Sequence, residues 1–164
     1  MPETGAVLDA MIRYYAGDAR RIGHFLKVYG FAKAIGEKEG LDAQTQLILE
    51  VAALTHDIGI KNSELKYQSA AGPYQETEGP PEARKMLSAL GYAAPLIDRV
   101  SWLIAHHHTY GQIEDLDLQI LIEADFIVNA IEDDMTPSAV SAVKNKIFRT
   151  PSGTDYLNAV CPDS

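Results

Sequence analysis

The chain holds five histidines, His24, His56, His106, His107 and His108. Four of them end or interrupt apolar helical stretches, as in "AALTHDIG" and "WLIAHHHTY". A buried imidazole cluster costs free energy unless its nitrogens find partners. A divalent metal is such a partner, and neutral imidazole and carboxylate are good ligands for Zn, Fe, Mn and similar ions. Two acids stand ready to join them. Asp57 directly follows His56, and Asp125 sits inside the apolar run "LIEADFIVNA", where an unpaired carboxylate needs a metal, an arginine or a helix N-terminus. Neighbours on a helix point about 100° apart. At a fraying helix end, however, His56 and Asp57 can converge on one ion, and Gly59 permits a sharp exit. A metal held by such a set lowers the pKa of bound water toward ~7, which is hydrolytic chemistry.

The elements that must position these groups read as helices throughout. Ile22, Phe25, Leu26, Tyr29, Ala32 and Ile35 recur at helical spacing over 18–39, with Asp18 as N-cap and Gly40 as stop. A second helix from Asp42 runs into "THDIGI" and is apolar around most of its circumference, as a central buried helix is. Residues 61–79 show no sustained period and contain Gly72-Pro73. They read as a long functional loop, with Pro80 and Pro81 opening the next helix. Further helices are expected from about Pro95 to His107, from Asp117 onward, from Thr136-Pro137 to about Arg149, and as a short tail after Thr150-Pro151. No strand series and no internal repeat is visible.

With 164 residues, 46% of them hydrophobic and 23% charged, the chain fits one domain with a core of its own. The boundaries read as a core of about 18–132 and a C-terminal helical extension of about 137–160 within a single domain, 1–164. The net charge of −9 disfavours binding to a nucleic acid polymer. No apolar run approaches the roughly 18 residues a membrane span needs. A lone Cys161 and an N-terminus without the features of a secretion signal make the cytoplasm the expected location. Apolar Val140, Val143, Ile147 and Phe148 in the last long helix serve either the core or a homodimer interface.

The ordered series His24, His56-Asp57, His106-His107 and Asp125 resembles the HD superfamily of metal-dependent phosphohydrolases over roughly residues 20–130. The segments "LTHDIGIK" and "ILIEADFIVNA" share the family's style as well. The resemblance implies an all-α HD-domain bundle of about five core helices with further N- and C-terminal helices. It implies a first divalent ion held by His24, His56, Asp57 and Asp125. Members with two metals add a histidine between the HD pair and the later histidines. That slot falls here on Glu78, or alternatively on Glu76, so a second ion would be held by Glu78, His106 and His107. One or two ions, drawn from Mn, Fe, Zn, Ni or Mg, are compatible with these donors.

The implied activity is hydrolysis of a small-molecule phosphate ester, a nucleotide by preference. Asp57 would orient the water, and Lys61 or His108 would supply a proton or touch the phosphate. Arg20, one turn before His24, and Asn129, one turn after Asp125, would contact substrate together with Lys61. Tyr67, Tyr74 and Gln75 in the 61–79 segment would cover the cleft, their rings stacking on a base. Two departures stand out. Ile60 follows the "HDIG" run where some members carry an acid, and "HHHTYGQI" lacks the "GYP" signature of cyclic-dinucleotide hydrolases. Two other readings stay open, a di-iron HD-type oxygenase and a non-catalytic metal- or nucleotide-binding regulatory module.

Overall fold

Capping residues divide the chain much as the sequence suggests. The computed structural model describes residues 3–164 and contains nine helices among them: α1 (Thr4–Tyr14), α2 (Ala19–Lys38), α3 (Ala43–Thr55), α4 (Ile60–Tyr67), α5 (Gly72–Ala89), α6 (Ala94–His106), α7 (Leu116–Glu132), α8 (Pro137–Ile147) and α9 (Pro151–Val160). There is no strand among the described residues. Asp18 accepts the Arg21 backbone N–H at 3.2 Å and Asp42 that of Thr45 at 2.9 Å. Thr136 and Thr150 do the same for α8 and α9, each followed by a first-turn proline. Gly40 closes α2 with φ +77°, and the Leu41 N–H returns to the Gly36 carbonyl at 3.1 Å.

Helix α3 is the centre of the bundle. Its residues from Ile48 to Thr55 are all buried, and it packs against α1, α2, α6 and α7. Helix α7 is nearly as enclosed and lies along α2. Phe25, Leu49, Leu54, Ile104, Leu121 and Ile127 fill the space between them with no exposed surface to speak of. Val140 and Phe148 join this core, while Val143 and Ile147 pack half-buried against it. Helix α9 lies on α7 and α2. No helix among the described residues is long and apolar enough to cross a membrane.

The expected loop at 61–79 is instead helical for most of its length. Helix α4 takes its first part and α5 begins at Gly72, with Pro73 in its first turn. Pro80 and Pro81 lie inside α5 rather than at its start. They withdraw two N–H donors from the helix, yet packing holds it together. A Cβ on Gly59 would come within 2.7 Å of the Gly79 backbone N and of the Gln75 carbonyl, so bare backbone meets bare backbone there. The apolar period is missing because the buried face of α5 is partly polar: Gln75, Glu78 and Gly79 precede Ala83 and Leu87 on it.

One buried acid serves the fold. Glu123 has no exposed surface. Its carboxylate accepts from the Arg149 and Thr150 backbone N–H groups, the Thr150 hydroxyl and the Gln119 amide, and so anchors the start of α9 to α7. Glu123→Ala strands these donors and is expected to cost about 3 kcal/mol, at 1–3 kcal/mol for a buried unsatisfied group. Urea unfolding of the variant checks it.

Candidate metal centre

Four elements deliver the cluster. His24 comes from the middle of α2, His56 and Asp57 from the turn that ends α3, Asp125 from α7, and His107 from the end of α6. The adjacent pair converges because the helix gives way to a tight turn there, with the Ile58 N–H returning to the Thr55 carbonyl at 3.0 Å. The Tyr15 hydroxyl of the α1 end donates to the Asp57 carbonyl at 2.8 Å and pins the turn.

The distances define a compact set. His24 Nε2 lies 3.2 Å from Asp57 Oδ2 and 3.1 Å from Asp125 Oδ1. His56 Nε2 lies 3.3 Å and 3.2 Å from the same two oxygens. On the other side of Asp57, Oδ1 is 3.6 Å from His107 Nε2. Asp57 thus belongs to two donor groups, His24–His56–Asp57 and Asp57–His107–His108, each with ligand atoms within 4.8 Å of one another.

The far nitrogens show why a cation fits. His24 Nδ1 is 2.7 Å from Glu132 Oε1, His56 Nδ1 2.8 Å from the Ala53 carbonyl, and His107 Nδ1 2.7 Å from the Ile104 carbonyl. Each acceptor requires a proton on Nδ1, so in the neutral rings all three Nε2 lone pairs face carboxylate oxygens, acceptor against acceptor. A metal resolves that conflict, and outer partners of this kind fix ring orientation in metal sites. His107 Nε2 has no hydrogen-bond partner although His107 is buried. The donor set therefore fits a divalent ion, with His24, His56, Asp57 and Asp125 forming its most complete part and Asp57, His107 and His108 a sparser second part.

Electrostatics follow the geometry. Burial disfavours the charged forms, but the Asp125 and Asp57 carboxylates push His24 up to about 10 and raise His56 well above the usual imidazole range. Against the same burial, His56 and His24 hold the Asp125 carboxyl well below its usual range, and Asp57 is lowered likewise by His56, His107 and His24. His108 goes the other way: burial, with the His107 ring beside it, holds it down to about 4.

Three expected site residues lie elsewhere. Glu78 turns to Lys66 at 2.6 Å and to the Tyr67 hydroxyl at 3.2 Å, because those α4 groups sit against its face of α5. The α5 side chain that faces the cleft is Gln75, whose Oε1 accepts from His108 Nε2 at 3.0 Å. Glu76 is spent on the His108 backbone N–H and the Thr109 hydroxyl. His106 points outward, stacked on Trp102 at 4.1 Å with its Nδ1 on the Trp102 carbonyl. His107 and His108 take the inner positions. Lys61 reaches back to the Tyr14 carbonyl at 3.2 Å and lies off the metal cleft. Arg20 and Asn129 do line that cleft, whose volume is about 510 Å³.

Arg21 and Glu132 also line the cleft, outside the HD-like series of the sequence. Arg21 lines the cleft while paired with Asp18 and Glu64. Glu132 orients His24 and is itself 3.3 Å from Lys27. A signal for it exists: Glu132 lies seven residues after Asp125, on the same helical face. Glu132→Ala is expected to weaken metal binding by ~10–100-fold, the usual loss for an outer partner. Glu132→Gln, which keeps an acceptor for Nδ1–H, should lose less. Competition with a chromogenic chelator reads both.

The HD domain profile matches residues 21–130, so the chain belongs to the HD domain family. The fold is similar to the crystal structure of a predicted HD superfamily hydrolase from an uncultured Thermotogales bacterium. The TM-score is 0.70 at 22% identity, and the match covers 96% of this chain and 84% of that one. A search of curated proteins finds no match.

Proposed function

We propose that this chain hydrolyses a phosphate ester of a small molecule, with a divalent ion held by His24, His56, Asp57 and Asp125. The observation that carries the reading is the convergence of three Nε2 lone pairs on two carboxylates at the floor of an open cleft. The bound ion supplies a water of lowered pKa and neutralises charge on a phosphoryl oxygen.

The residues divide the remaining work. Asp57, with one oxygen toward each donor group, orients the attacking water and accepts its hydrogen bond. His108, fixed through Nε2–H to Gln75, would take the proton of the attacking water on Nδ1 and pass it to the leaving oxygen, which departs as the alcohol. Arg21 at the cleft wall offers its guanidinium to phosphate oxygens, while Arg20 stands further out at the mouth beside Asp133. Asn129, one turn beyond Asp125, contacts the rest of the substrate. The cleft volume admits nucleotides and sugar phosphates alike.

The test is phosphate release from a panel of phosphomonoesters, cyclic phosphates and diphosphates, with Mn, Zn, Ni, Fe or Mg supplied to metal-stripped protein. Metal-dependent release is the expected result. Oxygen consumption by a two-iron form without phosphate release would overturn the reading in favour of an oxygenase.

A further inference from the structure

Beyond the metal ligands most side chains of the cleft wall carry hydrogen-bonding groups. Asp18, Arg20, Gln75, Asn129 and Asp133 face it, and its apolar side chains are Ile60 and Ala70. Among the described residues no Phe, Tyr or Trp lines it. Tyr67 and Tyr74, the rings expected to cover it, stack on each other at 4.2 Å instead.

Two polar ladders lead outward from the ligands. On α7 and its C-cap, Asp125, Asn129 and Asp133 follow at four-residue steps. On α2, Arg20 precedes His24 by the same step. Such residues lie one above another on a helix face, each step about one turn or ~5.4 Å. The ladders meet at the mouth, where Arg20 and Asp133 stand 3.9 Å apart. From Asp125 to that pair is about two turns, ~11 Å.

A hydroxyl both donates and accepts. Asp133 offers an acceptor, Arg20 donors, and the Asn129 amide both. A nucleobase gains most from an aromatic face to stack on, and no ring is among the side chains that line this cleft. We infer that the substrate is a polyhydroxylated phosphate monoester of the sugar or polyol phosphate class, its hydroxyls read by Asn129 and by the Arg20–Asp133 pair. The inference rests on the phosphate-ester reading above. Sites built to pair a hydroxyl reject analogues that lack it, because their polar groups are then left unpaired.

Calorimetry with metal-loaded protein, alongside phosphate release, compares sorbitol 6-phosphate and glucose 6-phosphate with adenosine and uridine monophosphates. The polyol and sugar phosphates are expected to bind and react at least about tenfold better, a difference typical of paired against unpaired polar groups. Asn129→Leu is expected to shrink that preference toward parity. Arg20→Ala, at a side chain 81% exposed and so harmless to the core, should shrink it too. Nucleoside monophosphates binding equally well or better, or a preference untouched by both substitutions, would overturn the inference while leaving the hydrolase reading intact. Polyol phosphates that bind selectively without release of phosphate would overturn the hydrolase reading and leave this inference standing.

Discussion

Asp57→Asn is expected to reduce phosphate-ester hydrolysis by on the order of 10³-fold, several kcal/mol of lost charge stabilisation. The reason is positional. Asp57 is the one side chain shared by both donor groups, with Oδ2 on His24 and His56 and Oδ1 on His107. The amide keeps the shape of the carboxylate but removes its charge and places an NH₂ donor at one of two positions built for acceptors. In one orientation it faces the two imidazoles of the first group, in the other the unpartnered Nε2 of His107. Neither orientation restores the ligand set, so metal content should fall with the rate. Lys61→Ala, by contrast, should change the rate by less than about twofold, as surface changes remote from a site do. Its ammonium is spent on the Tyr14 carbonyl and the Tyr14 ring face. Phosphate release and elemental analysis on the two variants side by side separate the roles of the neighbouring residues.

The contrast between these two residues shows where the sequence was informative. His56, Asp57 and Asp125 stand out in it as polar groups inside apolar runs, where burial demands a partner, and His24 joins them through its place in the HD-like series. The structure brings these four together. Helix ends were equally legible at Asp18, Gly40, Asp42, Thr136 and Thr150, because capping is local chemistry. Whatever depends on rotation about a helix was not. His106 and His107 are neighbours, so about 100° of azimuth separates them, and only the packing of α6 against α5 and α3 decides that His106 turns out beside Trp102. In α5 the same rotation brings Gln75 to the cleft and sends Glu78 to Lys66 and Tyr67. That helix was hidden altogether, since a partly polar buried face and two internal prolines erase the period that marks a helix. Lys61 follows the HD pair closely in sequence yet sits in the first turn of α4, whose axis carries it toward α1. Glu132 and Glu123 look alike on α7, but one orients a ligand and the other holds α9. Only their partners from α2 and from 149–150 tell them apart.

Stripping the metal is expected to lower the melting temperature by ~10 °C. A ligand present at about 1,000 times its Kd stabilises by ~4 kcal/mol, and a domain of this size moves about 2–4 °C per kcal/mol. The position of the ligands makes the effect global. His24, His56 and Asp125 tie α2, α3 and α7 to one point, and α3 and α7 are the most enclosed helices of the bundle. Without a cation, the negative charge of Asp57 and Asp125 must be met by protons on His24 and His56, both of which are raised for that reason. A proton satisfies one nitrogen at a time, whereas one divalent ion would meet the Nε2 atoms of His24 and His56 and both carboxylates together. Calorimetric melts with and without chelator measure the increment, and His56→Ala should abolish it while also lowering the baseline through the cavity it leaves. Equal melting of stripped and loaded wild-type protein would mean that the cluster holds protons rather than metal. Hydrogen exchange localises the effect: amides of α2, α3 and α7 should gain protection on loading, and those of α8, which supplies no ligand, should not. The same measurement on Glu132→Ala then reports how much of the increment depends on the His24 ring being held in place.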